Sequence, residues 1–224
     1  MSSPIASLPA PLGIFFDLDG TLVDTAPDLG GAANHVRESL GLAPLPLASY
    51  RPAASAGARG LLGMALGITP EHADFPRHRD AFLAHYALHL ADNSPLFEGF
   101  EQLLRAFEEG GIRWGVMTNK PKRYTEALMT ALGLDARAAA VISADEVANA
   151  KPAPDGLLLA CERAGLKPSD CWYVGDDLRD IVAGRAAGMR TVAAAWGYEG
   201  PHPIHTWGAD LILARPIDLL ELIT

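Results

Sequence analysis

Strand and helix patterns alternate regularly over the second half of the chain, and this alternation restricts the possible folds more than any single motif. From about residue 96 onward, short apolar runs alternate with amphipathic helical runs, and the predicted strands there are 113–118, 140–143, 171–174, 191–194 and 211–213. Repeated strand-helix units are typical of a parallel, doubly wound sheet. One earlier apolar run, residues 13–17, is expected to join it. We therefore predict an α/β fold with a Rossmann-like parallel sheet.

The stretch between the first predicted strand and this array has a different pattern. It carries three helical runs, at about 26–41, 58–66 and 71–90, and no convincing strand. An all-helical insert in this position would sit above the strand ends as a cap. We therefore predict a core made of residues 13–24 and 96–224 and a helical cap of residues 25–95, with a Pro/Ala/Ser leader before residue 13.

Composition argues against several classes of protein. A formal net charge of −9 opposes general binding to nucleic acid or to anionic membranes. No run of about eighteen apolar residues could span a bilayer, and residues 1–13 lack the basic and hydrophobic regions of a signal peptide. We therefore expect a cytoplasmic protein with no nucleic-acid or membrane partner, in which Cys161 and Cys171 are buried free thiols. The sequence leaves the oligomeric state open.

Two carboxylates lie at the end of the first predicted strand. Asp17 and Asp19 follow the apolar run 14–16, and Gly20 then breaks the pattern. In open α/β sheets, ligands bind at the carboxyl ends of the strands. Acids in this position also serve as turn or helix-cap residues, so the pair alone does not identify a site.

Other predicted strands end in polar residues as well. Thr118 and Asn119 follow the strand 113–118, Asp176 and Asp177 follow the strand 171–174, and Lys151 lies in a proline-containing loop before a helix. Each has an ordinary explanation, as a helix N-cap, as a favourable charge for the helix dipole, or as a solvated lysine. Their occurrence together at strand ends and in an adjoining loop favours one shared functional site.

These residue types suit the chemistry of a phosphoryl group. Asp17 and Asp176 offer oxygen ligands for Mg²⁺, which prefers one or two carboxylates plus water and substrate phosphate. The Thr118 hydroxyl and the Lys151 ammonium can bind phosphoryl oxygens. A carboxylate can then attack phosphorus and form an aspartyl-phosphate, while the second acid protonates the leaving group and later activates water.

The same motifs resemble those of haloacid-dehalogenase-superfamily phosphatases with a helical cap inserted after the first strand. The resemblance covers nearly the whole chain and rests on residues 17–22, Thr118-Asn119, Lys151-Pro152 and 175–180. It implies the following roles: Asp17 as nucleophile, Asp19 as acid/base, Thr118, Asn119 and Lys151 as phosphate-binding residues, and Asp17, the Asp19 backbone carbonyl and Asp176 as ligands of a Mg²⁺ cofactor.

Two further acids of the last motif are expected to lie around these groups. Asp177 stands where many relatives have serine or threonine, so the resemblance gives it no definite role. Asp180 is expected to orient Lys151 or a metal-bound water.

Within the superfamily, the sequence resembles two kinds of phosphatase. The presence of Asp19 argues against the dehalogenases, which lack that acid, and the absence of lysine before Lys120 argues against the phosphonate-cleaving branch. The run 118–121 resembles phosphoglycolate phosphatases, whereas the runs 96–99, 114–116, 175–181, 196–198 and 207–210 resemble bacterial N-acetylmuramate 6-phosphate phosphatases. We favour the sugar phosphate slightly. In either case the substrate is a small phosphorylated metabolite bearing a carboxylate, and the cap would set the specificity.

The cap loop 55–60 is the predicted specificity loop. Its glycines permit close backbone approach, and Arg59 is expected to bind the substrate carboxylate; a glycine turn with a solvent-exposed arginine explains the loop equally well. His85 and His89 share a helix face, but no third ligand is in view, so no metal site is expected there.

Two alternative functions remain. A phosphosugar mutase on the same scaffold would carry the same core motifs, because the difference lies in how the cap excludes water. A phosphoacceptor signalling module also uses Asp, Thr and Lys at strand ends. The cap and Asp19 oppose that alternative, since an acid/base group would speed loss of the phosphoryl group.

Overall fold

The computed structural model describes residues 10–198 and 200–223, so residues 1–9 of the predicted leader lie outside the described residues. Within the described part, six parallel strands form one sheet in the order β3-β2-β1-β4-β5-β6. The strands are β1 Gly13–Phe16, β2 Arg113–Met117, β3 Ala140–Ile142, β4 Cys171–Gly175, β5 Arg190–Ala194 and β6 Leu211–Leu213. The predicted α/β fold with a parallel, Rossmann-like sheet is confirmed.

The helices of the described residues lie before and after residue 96 of the chain. Between β1 and residue 96, the α-helices of the described residues are α1 Ala26–Ser39, α2 Arg51–Ala54, α3 Gly57–Leu66 and α4 Phe75–His89. After these come α5 Phe100–Glu109, α6 Lys122–Ala131, α7 Asp155–Ala164, α8 Leu178–Ala186 and α9 Leu220–Ile223. From β2 onward, α6, α7 and α8 alternate with strands, as parallel pairing requires.

Strand β1 is covered on both of its faces. Ile14 and Phe16 point to one side, where the Phe16 ring packs edge-on against Phe100 of α5 with 5.2 Å between ring centroids. Phe15 points to the other side and packs in a cluster with Leu157 of α7. All five side chains are fully buried. Because close-packed interiors move little, the carboxyl end of β1 is held in a fixed position.

Helices α1, α3 and α4 share a hydrophobic cluster of their own. Val36, Leu61 and Phe82 bring one buried side chain from each helix to it. Tyr124 of α6 and Tyr198, which follows β5, also belong to this cluster, so it reaches down to the loops beyond the sheet. The division of the chain into a core and a cap at residues 24–25 and 95–96 stays a prediction.

The helical segment differs from the sequence prediction at two places. The predicted helix 71–90 begins only at Phe75, because Pro76 is tolerated in a first helical turn but clashes with a preceding turn deeper inside a helix. A 3₁₀ turn at Leu47–Tyr50 and the short helix α2 were not predicted. Their few residues, interrupted by Pro52, are too short to show a helical period.

Two other expectations concern the cysteines and the membrane. Cys161 and Cys171 are buried free thiols with 3.8 Å between their sulfur atoms, as predicted. No helix among the described residues combines the length and the apolar character needed to cross a membrane.

Three histidines stack between α1 and α4. The His85 ring lies between those of His35 and His89, with 4.3 Å and 4.4 Å between ring centroids. Its Nδ1 atom is buried and has no hydrogen-bond partner among the described residues. Burial lowers the pKa of His85 below its usual 6.5, and the two neighbouring rings lower it further, against the opposing charges of Glu38 and Asp92. The folded protein therefore favours neutral His85.

This stack predicts a pH dependence of stability. A group whose pKa is lowered by folding makes its full contribution to stability above its unfolded pKa. That contribution is lost as the pH falls from the unfolded pKa through the lower folded pKa. We expect the free energy of unfolding, measured with urea, to fall less between about pH 7 and about pH 5 in His85→Gln than in the parent protein. His78→Gln, on the same helix, serves as the matched control and should behave like the parent. Parallel pH profiles for His85→Gln and the parent would contradict the prediction.

Candidate active site

The loop after β1 carries both predicted acids. The Asp17 backbone N–H continues the ladder to β4 by donating to the Val174 carbonyl at 2.9 Å. Gly20 then adopts a left-handed φ of 87°, and a Cβ atom at that position would overlap the Asp176 carboxylate. Glycine is therefore required for the loop to turn this close to the end of β4.

Lys151 reaches the end of β1 from the loop before α7. Its ammonium lies 2.9 Å from Asp17 Oδ1, 2.6 Å from Asp180 Oδ1 and 2.9 Å from the Tyr173 hydroxyl. The side chain is almost fully buried, with 3% exposed. The Asn119 side chain fixes the backbone here, because its Oδ1 accepts from the Lys151 N–H and its Nδ2 donates to the Lys151 carbonyl. The amide of Asn119 thus holds the lysine in place.

Three buried carboxylates converge at this point. Oxygen atoms of Asp17, Asp176 and Asp180 lie within 4.8 Å of one another. Burial raises the pKa of Asp176 well above its usual value, and the charges of Asp17 and Asp180 raise it further. Burial also raises the pKa of Asp17 to about 6, although Lys151 opposes the rise. Lys151 contacts two of these three acids, Asp17 and Asp180. A set of carboxylate oxygens is what a hard divalent cation binds.

The two acids without a definite role occupy different positions. Asp177 is the N-cap of α8: its Oδ1 accepts from the Arg179 N–H at 2.9 Å, and its carboxylate also pairs with the Arg179 guanidinium. Asp180 contacts Lys151, and its Oδ2 accepts from the Asp177 N–H. The extra carboxylate of the motif thus caps a helix and holds an arginine, which in turn donates to the Ser55 carbonyl at 3.0 Å.

Asp19 lies beside this cluster with a different set of partners. Its Oδ1 accepts from the Thr25 hydroxyl at 2.6 Å and from the Lys120 ammonium at 2.9 Å. The Thr118 hydroxyl accepts from the Lys120 backbone N–H at 3.2 Å. Sequence reasoning missed Lys120 and Thr25 as partners of Asp19. In the sequence, Lys120 was marked only by its position directly after Thr118 and Asn119. A single lysine is usually a solvated surface residue, so this position did not indicate its role.

A cavity of about 350 Å³ opens above these residues. Asp17, Asp19, Thr118 and Lys151 lie on its sheet side. Lys120, which bonds to Asp19, lines it as well. Further lining comes from the helical segment and from the start of α6, and it includes Leu29, Ser55, Phe82, Leu83, Tyr86, Arg123 and Tyr124. The volume falls in the range of small-molecule sites, about 300 to 1,000 Å³.

Arg59 is not among the residues that line this cavity. It lines a neighbouring one of about 420 Å³ together with His202 and Trp207, and Ser55 and Arg179 separate the two spaces. The structure therefore brings together the eight site residues predicted in the core and leaves Arg59 apart. Of the eight, Asp176 does not line the cavity but lies beside Asp17 and Asp180. Arg123, at the cavity itself, is an exposed cation that sequence reasoning missed.

Comparison with known proteins shows the family to which the chain belongs. A family model described as haloacid dehalogenase-like hydrolase matches residues 12–188. An N-acetylmuramic acid 6-phosphate phosphatase of Pseudomonas aeruginosa is 41% identical over 94% of this chain and 93% of its own length. A phosphoglycolate phosphatase of Xanthomonas campestris is 40% identical, covering 94% of this chain and 96% of its own.

A solved structure shows the same fold. The crystal structure of a predicted phosphoglycolate phosphatase from Haemophilus somnus superposes with a TM-score of 0.85 and 27% identity, covering 97% of this chain and all of the other. The chain belongs to the haloacid dehalogenase-like hydrolases. The family resemblance inferred from the sequence motifs is thereby confirmed.

Proposed function

We propose that this hydrolase is a Mg²⁺-dependent phosphomonoesterase that works through an aspartyl-phosphate on Asp17. The observation that carries the proposal is the contact of the Lys151 ammonium with both Asp17 and Asp180 at the floor of a cavity that Asp19 also lines. This places one carboxylate beside a fixed cation and a second carboxylate at the same opening. An ordinary turn or helix cap needs no such buried lysine.

The chemistry follows from the positions of the side chains. The Asp17 carboxylate attacks the substrate phosphorus, and the ester P–O bond breaks as Asp19 gives a proton to the leaving oxygen. Asp19 then takes a proton from water, and the water oxygen attacks phosphorus and releases inorganic phosphate from Asp17. Throughout, Lys151 and the Thr118 hydroxyl bind phosphoryl oxygens, whereas Asn119 and Asp180 keep Lys151 in place.

The residues present fit a magnesium ion. Asp17 and Asp176 are buried carboxylates with raised pKa values, and no hydrogen bond of the described residues is donated to the Asp19 backbone carbonyl. We assign these three groups to the ion and leave Asp180 as the partner of Lys151 and Tyr173. When bound, Mg²⁺ supplies positive charge that neutralises the phosphoryl oxygens.

Metal binding is open to a direct test without turnover. We expect Mg²⁺ to raise the melting temperature of the parent protein, because a ligand that binds the folded state stabilises it. Asp176→Asn should lose most of that rise. Asp177→Asn is the matched control, since asparagine also serves as an N-cap, and it should keep the rise. An equal rise in Asp176→Asn and the parent would remove Asp176 from the proposed site.

The proposed substrate is a small phosphate ester that bears a carboxylate, with N-acetylmuramate 6-phosphate preferred over 2-phosphoglycolate. The similarity to relatives named for these two substrates supports the class. A cavity of about 350 Å³ with an apolar wall of Leu29, Phe82 and Leu83 is much larger than a two-carbon acid fills. Arg123 is the exposed cation at the cavity and is better placed than Arg59 to meet the carboxylate.

One substrate panel tests this proposal. Phosphate release would be measured from N-acetylmuramate 6-phosphate, 2-phosphoglycolate and several neutral sugar phosphates, each with and without Mg²⁺. The expected result is Mg²⁺-dependent release with the highest kcat/KM on the first compound. An isomerised sugar phosphate without free phosphate would show a mutase instead, and a stable phosphorylated protein would show a signalling module. The predicted cytoplasmic location and the core and cap boundaries remain proposals.

A further inference from the structure

We propose that Lys120 and Tyr86 form a positioning pair that sets the orientation of the acid/base residue Asp19. The inference rests on the phosphatase function proposed above and deepens it. Neither residue is assigned a part in the chemistry itself. Their part is to hold one oxygen of Asp19, so that the other faces the leaving group.

The geometry of the pair is tight. The Lys120 ammonium lies 2.9 Å from Asp19 Oδ1 and 2.7 Å from the Tyr86 hydroxyl, and only 6% of the lysine side chain is exposed. Its backbone is held as well, because its N–H donates to the Thr118 hydroxyl and its carbonyl accepts from the Thr125 hydroxyl. A lysine fixed at both ends in this way is not a solvated surface residue.

The electrostatics explain why the ammonium stays charged in a buried place. Burial lowers the pKa of Lys120, but the Asp19 charge and the Tyr86 hydroxyl more than offset it, and the pKa ends above its usual value. A buried ammonium without partners would be strongly unfavourable. The lysine and Asp19 therefore hold each other in place as an ion pair.

The contacts divide the two oxygens of Asp19 into different roles. Oδ1 accepts from both the Thr25 hydroxyl and the Lys120 ammonium. No hydrogen bond or ion pair of the described residues reaches Oδ2. A general acid must lie within hydrogen-bond reach of the proton's destination, so fixing Oδ1 leaves Oδ2 for proton transfer to and from the substrate.

Tyr86 extends this arrangement to helix α4. It lies on the same helix as Phe82, and both side chains line the cavity. The position of α4 above a bound substrate is therefore linked to the orientation of Asp19 through the Tyr86 hydroxyl and the Lys120 ammonium. A substrate that holds α4 in the right position would thereby also keep Asp19 oriented to donate its proton.

The test compares leaving groups that need a proton with ones that do not. Full-length protein with Mg²⁺ would be assayed on an alkyl phosphate and on p-nitrophenyl phosphate. For Lys120→Met we expect kcat on the alkyl phosphate to fall by about 10²-fold, within the range of general-acid catalysis, and to change little on the aryl phosphate. Tyr86→Phe should show a smaller loss of the same selectivity. If Lys120→Met folds poorly, Tyr86→Phe still allows the difference between the two substrates to be measured.

Two comparisons fix the interpretation. Asp19→Asn should show the same selectivity, and adding Lys120→Met to it should cost nothing more, because residues that act as a unit are non-additive. Lys122→Met, which removes a half-exposed lysine two residues away, should match the parent.

Three outcomes would overturn the inference. Equal losses on both substrates would show a merely structural role for Lys120. A raised KM with unchanged kcat would show that Lys120 binds substrate instead. A full additional loss in the double variant would show that it acts independently of Asp19. Failure of the proposed function itself is recognised separately, as aryl phosphatase activity that survives Asp17→Asn.

Discussion

Replacing Asp17 with asparagine is expected to abolish phosphate release while leaving the folded structure intact. The change removes the nucleophile but keeps the size of the side chain, and loss of a catalytic nucleophile costs about 10⁴- to 10⁶-fold in kcat. The free energy of unfolding at neutral pH should not fall. Burial raises the pKa of Asp17 to about 6, so the ionised Asp17 carboxylate destabilises the folded protein at that pH. Phosphate release and the melting temperature measure the two expectations.

A matched control separates the nucleophile from a general effect of charge. Asp80→Asn makes the same chemical change on an exposed face of α4, where the carboxylate pairs with Arg79, and it should leave both readouts unchanged. Activity within tenfold of the parent in Asp17→Asn would remove Asp17 from its role. A large drop in melting temperature would show that its charge stabilises the fold.

Replacing Lys151 with methionine is expected to damage both activity and stability. The change removes the cation that contacts the buried Asp17 and Asp180 carboxylates. Breaking a buried ion pair costs about 3–5 kcal/mol, and loss of a group that stabilises a developing charge costs about 10²- to 10³-fold in kcat. Urea unfolding in the presence of a chelator and phosphate release with Mg²⁺ measure the two effects.

The stability loss should depend on pH in a definite direction. Carboxylates whose pKa values are raised in the folded state bind more protons there than in the unfolded chain, so the folded state gains stability as the pH falls through the raised values. The deficit of Lys151→Met should therefore shrink between about pH 7 and about pH 5. Lys122→Met, at the surface, is the control and should show no deficit. If the stability deficit of Lys151→Met grows as the pH falls, the unpaired Asp17 and Asp180 carboxylates are not its cause.

The sheet was predictable because its strands are buried on both faces. Ile14, Phe15 and Phe16 give an uninterrupted apolar run, and the later strands recur between helical runs, so that pattern alone indicates a parallel sheet. The start of α4 and the turns at 47–54 were not predictable in the same way. There, prolines and short length decide the local conformation, and neither produces a period in the sequence.

The core of the site was predictable because each group lies at the end of a strand or in a loop that adjoins one. Asp17 and Asp176 follow β1 and β4, which are neighbours in the sheet, and that adjacency brings their carboxylates together. The environment of Lys120 depends instead on Tyr86, thirty-four residues away on α4, so no local motif could reveal it. Arg59 lies off the cavity for the same reason, because the packing of the helical segment decides where its loop faces.

Covalent trapping during turnover is the sharpest test of the aspartyl-phosphate mechanism. The parent protein would be mixed with substrate and Mg²⁺ and quenched with borohydride, which reduces an acyl phosphate to an alcohol, and its peptides would then be analysed by mass spectrometry. An aspartyl-phosphate on Asp17 predicts homoserine at residue 17 and at no other carboxylate, with no such product from Asp17→Asn. Undiminished phosphate release with an unmodified residue 17, or with the label at another acid, would contradict the proposed mechanism.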